Sequence, residues 1–166
     1  MIDAPLRVVP LAAAHDRTTF DSGSEPLDRY FRLEVSQDIR RRVTACFVAL
    51  TPEGRIAGYY TLASASLLLA DLLAATARKL PRHPSVPAVR MWRLAVDQTF
   101  RGQGLDSALL ADALDRAARA DIAAYALVVE AKDDPAAAFY RHHGFIALSD
   151  APMKLFLPLA TVNKAR

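Results

Sequence analysis

The chain has 166 residues, 52% of them hydrophobic and 23% charged, which predicts a single globular domain over residues 1–166 and excludes a disordered or fibrous chain. Its longest apolar runs are interrupted by serine or aspartate well short of the roughly 20 residues that a membrane span needs. The N-terminal MIDAPLRVVP has no basic region followed by an apolar one, as a secretory signal would have. We therefore expect a cytoplasmic protein with no membrane contact.

The charge is distributed unevenly, although the formal net charge is only +3. No acidic residue lies between Asp71 and Asp97, whereas several basic residues do, and three consecutive arginines occur earlier in the chain. The two basic clusters are Arg40, Arg41 and Arg42, and Arg78, Lys79, Arg82, Arg90 and Arg93. Segregated cations attract polyanions, but a solvated surface with crowded arginines explains the clusters equally well at this point.

The cysteine and histidine content indicates neither a reactive thiol nor a metal site. Cys46 lies in the apolar run ACFVAL and is expected to be a buried structural thiol. The four histidines show no spacing with Cys46 or with carboxylates that suits a metal, so no metal is predicted.

The first half of the chain predicts a strand, a helix and a hairpin. The β-branched run LRVVPL at 6–11 is typical of a strand. In SEPLDRYFRLEVSQDI at 24–39, Ser24 as N-cap and apolar residues at helical spacing predict one amphipathic helix. The segments 44–50 and 55–64 flank the turn TPEG and predict an antiparallel hairpin.

Helices and strands are then predicted to alternate. A short helix over 70–80 and a proline-rich loop over 81–87 precede a strand over 89–97. A helix over 107–120 and a strand over 124–131 follow.

The last part of the chain predicts one more helix and one more strand. Asp133 or Asp134 can cap a helix that Gly144 ends, and a strand at 153–159 is followed by a polar tail. This order of elements predicts an α/β fold in which a mixed sheet carries helices on its faces.

A glycine-containing loop joins the strand MWRLAVD to the helix SALLADAL, and such a loop places backbone N–H groups at a helix N-terminus, where anions bind. A pyrophosphate is one candidate, and a loop that serves only the turn is the other. The dinucleotide pattern GxGxxG is absent because Ser107 replaces its third glycine, and GxxxxGK[ST] is absent as well.

Two separated motifs resemble those of the GCN5-related N-acetyltransferases. RGQGLD is similar to their loop [QR]-x-x-G-x-[GA], with Arg101 and Gly104 matching and Asp106 departing from it. DDPAAAFYRHHGF is similar to their closing helix N-x-x-A-x-x-F-Y-x-x-x-G-F, with Asp133 in the asparagine position. The remaining matches to this helix are Ala136, Phe139, Tyr140, Gly144 and Phe145.

Nearly the whole chain resembles one branch of this superfamily, the acetyltransferase toxins of bacterial toxin-antitoxin modules. The further similar stretches are FDSGSEPLDRYF with the arginines after it, GYYTLASASL, LPRHPSVPAVRMWRLAVD and DAPMKLFLPL. The resemblance implies a mixed, mostly antiparallel sheet flanked by helices, and transfer of acetyl from acetyl-CoA to the α-amine of aminoacyl-tRNA, which blocks translation. It also implies a ribbon-helix-helix antitoxin and commonly a homodimer.

The resemblance also implies particular site residues. Tyr140 is expected to be catalytic. The residues expected to bind acetyl-CoA are Leu94, Ala95, Val96, Arg101, Gly102, Gln103, Gly104, Leu105, Asp106, Ser107, Asp133, Ala136 and Phe139.

The residues can be checked against the chemistry of acetyl transfer. A tyrosine with a pKa of about 10 keeps its proton at neutral pH and can donate it toward a departing thiolate, whose thiol has a pKa of about 8.5. Tyr140 suits this role, although Phe139 and Tyr140 could instead only pack the helix. Glu130 and Asp133 are the nearby candidates for a base. An α-amine with a pKa near 8 is roughly a tenth neutral at pH 7 and needs little help from a base.

An aminoacyl-tRNA substrate gives the basic clusters a purpose, because their cations can bind tRNA phosphates. The expected nucleic-acid-binding residues are Arg40, Arg41, Arg42, Arg78, Lys79, Arg82, Arg90 and Arg93. Two alternatives stay open. One is an acetyltransferase for a protein N-terminus or a small amine, and the other is a protein that binds antitoxin or tRNA without catalysis.

Asp106 stands where the resembling family has glycine or alanine. A carboxylate about 5 Å from a phosphate charge costs about 1 to 3 kcal/mol, or roughly 5- to 200-fold in affinity. We therefore hypothesise that Asp106 attenuates acetyl-CoA binding, both through its charge and because this position needs dihedrals that only glycine adopts easily. The alternative is that Asp106 turns outward and caps the helix that begins near Ser107.

Overall fold

The computed structural model describes residues 6–72, 77–78 and 84–164. The chain divides into two compact units, which are described in turn. The first comprises Met1–Ala63 and Trp92–Ala113, and the second comprises Ser64–Met91 and Leu114–Arg166. The single domain over residues 1–166 stays a prediction.

The first unit contains the predicted N-terminal strand and hairpin. β1 (Arg7–Pro10) pairs antiparallel with β2 (Ala45–Leu50), which pairs antiparallel with β3 (Ile56–Leu68). The N–H of Gly54 donates to the carbonyl of Thr51 at 2.9 Å and closes the predicted turn. β3 continues four residues beyond the end that the sequence predicted.

The predicted first helix is interrupted by a π-helical turn. α1 (Glu25–Arg29) leads into the π-helical segment Tyr30–Glu34, and α2 (Val35–Arg40) follows. Such a widened turn inserts an extra residue into a helix, so the 3.6-residue period used for the prediction does not hold across it. Ser24 occupies the N-cap, but its side chain makes no capping hydrogen bond.

Aromatic rings form the core of the first unit. The Phe31 ring stacks on Tyr59 with centroids 4.2 Å apart, and Phe20 meets Phe31 edge-on at 5.0 Å. Cys46 is buried in the same cluster, as its apolar neighbours predicted, and burial raises the pKa of its thiol to about 12. A thiol with such a pKa is protonated at neutral pH and is not a nucleophile.

β4 (Ser85–Val96) begins earlier than predicted, within the proline-rich segment. Proline lacks an N–H group but keeps its carbonyl, and the carbonyl of Pro87 accepts a 2.8 Å hydrogen bond from the N–H of Tyr125. After β4 come a 3₁₀ helix (Gln98–Phe100) and then α3 (Leu105–Arg119), which begins two residues before the predicted start.

The second unit contains the parallel step of the sheet. β5 (Ala126–Glu130) pairs parallel with β4, with Ala88 opposite Ala126, and antiparallel with β7 (Ala151–Pro158). α4 (Asp134–His142) leads into β6 (Ile146–Leu148), which pairs antiparallel with β7.

Two short elements of this unit were not predicted, and one prediction lies largely outside the described residues. β6 has three residues, and α5 (Leu159–Lys164) replaces the predicted polar tail. Of the predicted helix over 70–80, the structure describes the 3₁₀ turn Leu69–Asp71 and residues 72, 77 and 78.

The sheet has the strand order β1-β2-β3-β4-β5-β7-β6 over the described residues. β4 and β5 are parallel, whereas β1–β2, β2–β3, β5–β7 and β6–β7 are antiparallel. The predicted fold, a mixed and mostly antiparallel sheet flanked by helices, is confirmed. In the part of the chain that the structure describes, no helix combines the length and the apolar character needed to cross a bilayer.

Candidate active site

The loop after β4 is fixed at its start by a buried carboxylate. Asp97 is 2% exposed, and its Oδ1 accepts a 2.9 Å hydrogen bond from the N–H of Thr99, capping the 3₁₀ helix. Its Oδ2 accepts from the N–H of Asp21 at 3.0 Å, and the exposed Arg55 guanidinium lies 3.4 Å from Oδ1. Asp97 therefore fixes the direction in which the chain leaves the sheet.

The two glycines of the loop have a left-handed backbone. Gly102 and Gly104 adopt φ of +75° and +76°, the left-handed region that glycine enters at little cost. A Cβ added at either glycine would meet no described atom within 4 Å, so the loop is open on that side. The carbonyl of Gly104 accepts from the N–H of Ala108 at 3.1 Å and starts α3. A helix N-terminus behind an open glycine loop fits an anion such as a pyrophosphate.

Asp106 lies within the first turn of α3 and is exposed. Its Oδ1 accepts a 2.8 Å hydrogen bond from the N–H of Ser107. Arg42 is the one non-glycine residue with positive φ among the described residues, so the idea that position 106 needs a glycine-only backbone is wrong. The electrostatic part of the attenuation hypothesis remains. The Asp106 carboxylate places a negative charge at the helix end where an anion would bind, and it already accepts the Ser107 N–H that such an anion could use.

Arg101 is exposed, and its side chain is hydrogen-bonded to a neighbouring loop. Its Nη2 donates a short hydrogen bond to the backbone carbonyl of Ser22. The contact predicted between Arg101 and acetyl-CoA stays a prediction.

The remaining residues predicted to contact acetyl-CoA in this unit lie on β4 or on the loop. Leu94, Ala95 and Val96 are the last three residues of β4, and Ala95 is buried. Gln103 lies between the two glycines, and Leu105, the first residue of α3, is buried. The structure thus places the predicted cofactor residues of the first unit on one continuous strand-loop-helix segment.

Tyr140 is held by a hydrogen-bonded helix end. The N–H of Gly144, at φ +92°, donates to the carbonyl of Arg141, and the N–H of Phe145 donates to the carbonyl of Tyr140 at 3.1 Å. This is a Schellman motif, which is usually accompanied by an apolar contact across it. That contact is between the Tyr140 and Phe145 rings, whose centroids are 5.5 Å apart. The residues of the sequence pattern Y-x-x-x-G-F therefore form a helix end that orients the tyrosine ring.

The hydroxyl of Tyr140 differs from those of the other buried tyrosines. Tyr30, Tyr59 and Tyr60 donate to Asp38, to the carbonyl of Leu27 and to Asp112. For Tyr140, which is 8% exposed, the structure records no hydroxyl hydrogen bond to the described residues. Thr61 Oγ1 is the one fully buried side-chain polar atom without a partner in that part of the chain.

Burial raises the pKa of Tyr140 to about 12, so this tyrosine keeps its proton at any physiological pH. A buried tyrosine hydroxyl usually finds a partner within the protein. An oriented, protonated hydroxyl that has none among the described residues is available to donate a hydrogen bond to a bound molecule.

The other residues predicted on α4 have structural roles. Asp133 is the N-cap, and its Oδ1 accepts from the N–H of Ala136 at 2.9 Å. Phe139 is half-buried, with its ring edge-on to Tyr140 at 5.3 Å and to His143 at 4.7 Å. These contacts settle which aspartate caps the helix, and they leave the cofactor contacts of Asp133, Ala136 and Phe139 as predictions.

Of the two candidate bases, Glu130 is ion-paired. Its Oε2 accepts from Arg90 Nη2 at 3.0 Å, and the carboxylate side chain is about half exposed. Arg90, predicted to bind nucleic acid, therefore has an acidic partner within the protein. The other candidate, Asp133, is committed to capping α4.

The basic residues divide into exposed and packed ones. Arg40, Arg41, Arg42 and Arg78 are exposed. The Arg93 guanidinium instead stacks 3.4 Å from the centroid of the Tyr30 ring and 5.2 Å from that of Trp92. Lys79 and Arg82 lie outside the described residues.

Among the residues described, no group of three or more His, Cys, Asp or Glu side chains is arranged to hold a metal ion. Sequence reasoning missed the loop of Asp21, Ser22 and Gly23, which contacts the start of the glycine loop. A glycine within the polar stretch FDSGSEP was the available signal for it.

Comparison with known proteins fixes the family. Residues 11–145 match the acetyltransferase (GNAT) family. The chain belongs to the GNAT acetyltransferases. It is 38% identical to a tRNA-acetylating toxin of Mycobacterium tuberculosis over 156 residues, which cover 93% of this chain and 90% of the relative. It is 32% identical to the probable toxin TacT of Sinorhizobium fredii, over 90% of this chain and 88% of that protein.

Solved structures agree in fold over the same length. AtaT complexed with acetyl-methionyl-tRNAfMet has a TM-score of 0.89 at 30% identity, covering 97% of this chain and 99% of AtaT. A tyrosine-to-phenylalanine mutant of KacT has a TM-score of 0.89 at 27% identity, with coverage of 97% and 99%. AtaTR bound with AcCoA has a TM-score of 0.83 at 28% identity, covering 99% of both chains. The predicted family and the predicted class of acetyl-CoA-dependent acetyltransferase are confirmed.

Proposed function

We propose that this chain is the toxin of a toxin-antitoxin pair and that it stops translation by acetylating the α-amine of aminoacyl-tRNA. The observation that carries the proposal is similarity over more than nine-tenths of the chain to a relative named as a tRNA-acetylating toxin. The structure of AtaT with acetyl-methionyl-tRNAfMet supports the same acceptor. The prediction made from the sequence motifs agrees with both.

Acetyl-CoA would be held by the backbone at the end of β4, at Leu94–Val96, and by the loop from Arg101 to Ser107. The positive φ of Gly102 and Gly104 and the open space beside them support this placement. When bound, acetyl-CoA supplies an acetyl group as a thioester. The solved complex of AtaTR with AcCoA supports the same substrate.

Tyr140 is the proposed catalytic residue, and the structure limits what it does. A phenol with a pKa of about 12 is a much weaker acid than a thiol with a pKa of about 8.5, so complete proton transfer from Tyr140 to the thiolate is unfavourable. Tyr140 therefore acts mainly by donating a hydrogen bond to the sulfur as negative charge develops there. The proton that the sulfur finally carries comes from the attacking amine, which must lose one when the amide forms.

The engagement of the two candidate bases within the described residues suits an α-amine acceptor. Both carboxylates near Tyr140 in sequence have partners, Glu130 in an ion pair and Asp133 in a helix cap. An α-amine with a pKa near 8 is about a tenth neutral at pH 7, whereas a lysine amine near 10.4 is neutral in well under a thousandth of molecules. An α-amine, on an aminoacyl group or on a protein N-terminus, therefore needs little help from a base, whereas a lysine side chain needs much more.

The exposed arginines at the end of α2 are the best-supported contacts to tRNA phosphates. Arg42 has φ of 61° and occupies the position after a helix where glycine is usual. An L-residue there costs about 1 to 2 kcal/mol, which favours a role for the Arg42 side chain beyond the fold. Arg78, Lys79, Arg82, Arg90 and Arg93 remain proposed contacts, and Arg90 would have to release Glu130 to bind phosphate.

We further propose that the protein acts in the cytoplasm, where charged tRNA is found, and that it forms a homodimer. Its antitoxin is proposed to be a ribbon-helix-helix protein. Complexes of AtaT with the C-terminus of the antitoxin AtaR support an antitoxin partner.

The proposal is tested by incubating total charged tRNA with labelled acetyl-CoA and either the wild type or Tyr140→Phe. We expect the wild type to form acetyl-aminoacyl-tRNA and Tyr140→Phe to lower kcat by about 10²-fold or more, because the hydrogen bond to sulfur is lost. Tyr125→Phe is the matched control and should stay within about twofold. Wild-type kcat/KM should rise with pH through about 8 as the amine loses its proton. No fall from Tyr140 is expected below about pH 11, because its pKa is about 12.

Two outcomes would favour other functions. Normal acetyl-CoA binding with no labelled tRNA would point to an acetyltransferase for a protein N-terminus or a small amine. No heat on titration with acetyl-CoA would point to a protein that binds antitoxin or tRNA without catalysis.

A further inference from the structure

A second loop, Asp21–Ser24, lies against the start of the acetyl-CoA loop. The N–H of Asp21 donates to the buried Asp97 carboxylate at 3.0 Å, and the carbonyl of Asp21 accepts from the N–H of Gln98 at 2.9 Å. The Gln98 side-chain amide donates to Asp21 Oδ1 at 3.0 Å. We call residues 21–24 the bracing loop. Three hydrogen bonds thus join it to the two residues that follow β4.

A buried carboxylate on α1 also fixes the bracing loop. Asp28, on α1, is 4% exposed and accepts from both the N–H and the hydroxyl of Ser22, at 3.0 and 2.6 Å. The Ser22 hydroxyl also accepts from the N–H of Ser24 at 3.2 Å. These bonds fix the Ser22 peptide, whose carbonyl then accepts a hydrogen bond from the Arg101 guanidinium.

Gly23 is the point at which the two loops come closest. It has φ of +87°, and a Cβ built on it would lie 2.7 Å from Arg101 Nη2 and 3.3 Å from Gln98 Cδ. The 2.7 Å separation is shorter than real Cβ contacts, so a larger residue at position 23 would shift the end of the Arg101 side chain away from Ser22. Gly23 is therefore needed both for its backbone conformation and for the space that its missing side chain leaves.

Arg101 comes directly before the two glycines of the acetyl-CoA loop. Beside Gly102 and Gly104 there is open space among the described residues, and α3 supports the loop from the carbonyl of Gly104 onward. The docking of Arg101 on the bracing loop is the last side-chain anchor before that open stretch.

We propose that the bracing loop is a positioning element for acetyl-CoA binding. Gly23 and Ser22 form a seat for Arg101, and Arg101 in that seat sets the conformation of the Gly102–Gly104 backbone. Gly23, Ser22 and Arg101 are thus positioning residues and not catalytic ones. The inference rests on the proposed assignment of loop 101–107 to acetyl-CoA.

Gly23→Ala and Gly54→Ala form a matched pair for the test. Gly54 also has φ of +87°, but a Cβ there would meet no described atom within 4 Å. Both variants carry the same backbone strain, and only Gly23→Ala removes the seat of Arg101. We expect Gly23→Ala to weaken acetyl-CoA binding about tenfold or more by calorimetry and to raise its KM equally, with kcat at saturating acetyl-CoA within about twofold. Gly54→Ala should keep the wild-type KM.

A double-mutant cycle with Arg101→Ala shows whether the effect passes through this side chain. If it does, Gly23→Ala should change acetyl-CoA affinity less than about twofold when Arg101 is already absent. Equal KM values for Gly23→Ala and Gly54→Ala would overturn the proposal, as would a full effect of Gly23→Ala in the Arg101→Ala background. If Gly23→Ala does not fold, Arg101→Ala alone must raise KM without lowering kcat, and a wild-type KM there would also overturn it.

Failure of the bracing loop and failure of the proposed function give different results. A wild type that acetylates charged tRNA, with no difference between the two alanine variants, removes only the bracing role. A wild type that binds acetyl-CoA and loses affinity in Gly23→Ala, but labels no tRNA, keeps the bracing role and removes the tRNA substrate.

Discussion

Helices α3 and α4 each begin beside an aspartate, and the two aspartates stand in different relations to their helix. At α4, Asp133 precedes the helix with an extended backbone and accepts the N–H of Ala136, three residues on. At α3, the residue before the helix is Gly104, and Asp106 lies within the first turn, accepting the N–H of Ser107 next to it. A carboxylate stabilises a helix N-terminus in both positions. The difference is that the end of α3 is also the proposed site of a pyrophosphate, so its carboxylate competes with the substrate.

The largest effect that we expect from this difference between the two helix ends is on the affinity for acetyl-CoA. Asp106→Gly removes a negative charge and frees the N–H of Ser107, so we expect binding about 5- to 200-fold tighter, equivalent to about 1 to 3 kcal/mol. Calorimetry with acetyl-CoA measures it directly. Asp134→Gly is the matched control because it makes the same exchange at an exposed first-turn position of α4.

An unchanged affinity in Asp106→Gly would contradict attenuation. Asp106 would then be only a helix-stabilising residue, and α3 and α4 would begin in functionally equivalent ways.

The second largest expected effect is on the free energy of unfolding, when the N-cap of α4 is removed. Asp133→Ala should lower the free energy of unfolding by about 1 kcal/mol, because the N–H of Ala136 loses its acceptor. Urea unfolding followed by circular dichroism measures the change, with Asp134→Ala as the control expected within about 0.5 kcal/mol. If Asp133→Ala also weakens acetyl-CoA binding more than twofold, the contact predicted for Asp133 from the family motif gains support beyond its capping role.

The two helix ends also show what the sequence could and could not predict. For α4, the spacing of Asp133, Pro135 and Gly144 follows local rules of capping and of positive φ, and the structure agrees at both ends. For α3, the same rules placed the start near Ser107 and missed that Gly104 supplies the first helical carbonyl. Glycine at that position predicts a turn as readily as a helix start, so local rules do not decide.

Contacts between residues that are distant in sequence could not be predicted either, because local rules of capping and spacing carry no information about them. The seat that Ser22 and Gly23 form for Arg101 joins positions 79 residues apart, and no periodicity or motif spacing encodes such a pair. Phe31, within the π-helical turn Tyr30–Glu34, stacks on Tyr59 in another element, and sequence spacing does not encode that contact either. Tyr140 could be predicted as a site residue from its motif, but the packing of its ring on Phe145 could be seen only in the structure.

The smallest expected effect is that of Asp106→Asn, which separates the stabilisation of α3 by Asp106 from its repulsion of phosphate. Asp106→Asn keeps the shape of the side chain and an oxygen near the N–H of Ser107 but removes the charge, so the favourable interaction with the α3 dipole is lost. We expect the free energy of unfolding to fall by about 0.3 to 1 kcal/mol at low salt, and by less as salt is added. Acetyl-CoA affinity should rise in the same variant, because the repulsion of phosphate disappears with the charge. A variant that loses stability without gaining affinity would show that the carboxylate serves the helix alone, as Asp133 does at α4.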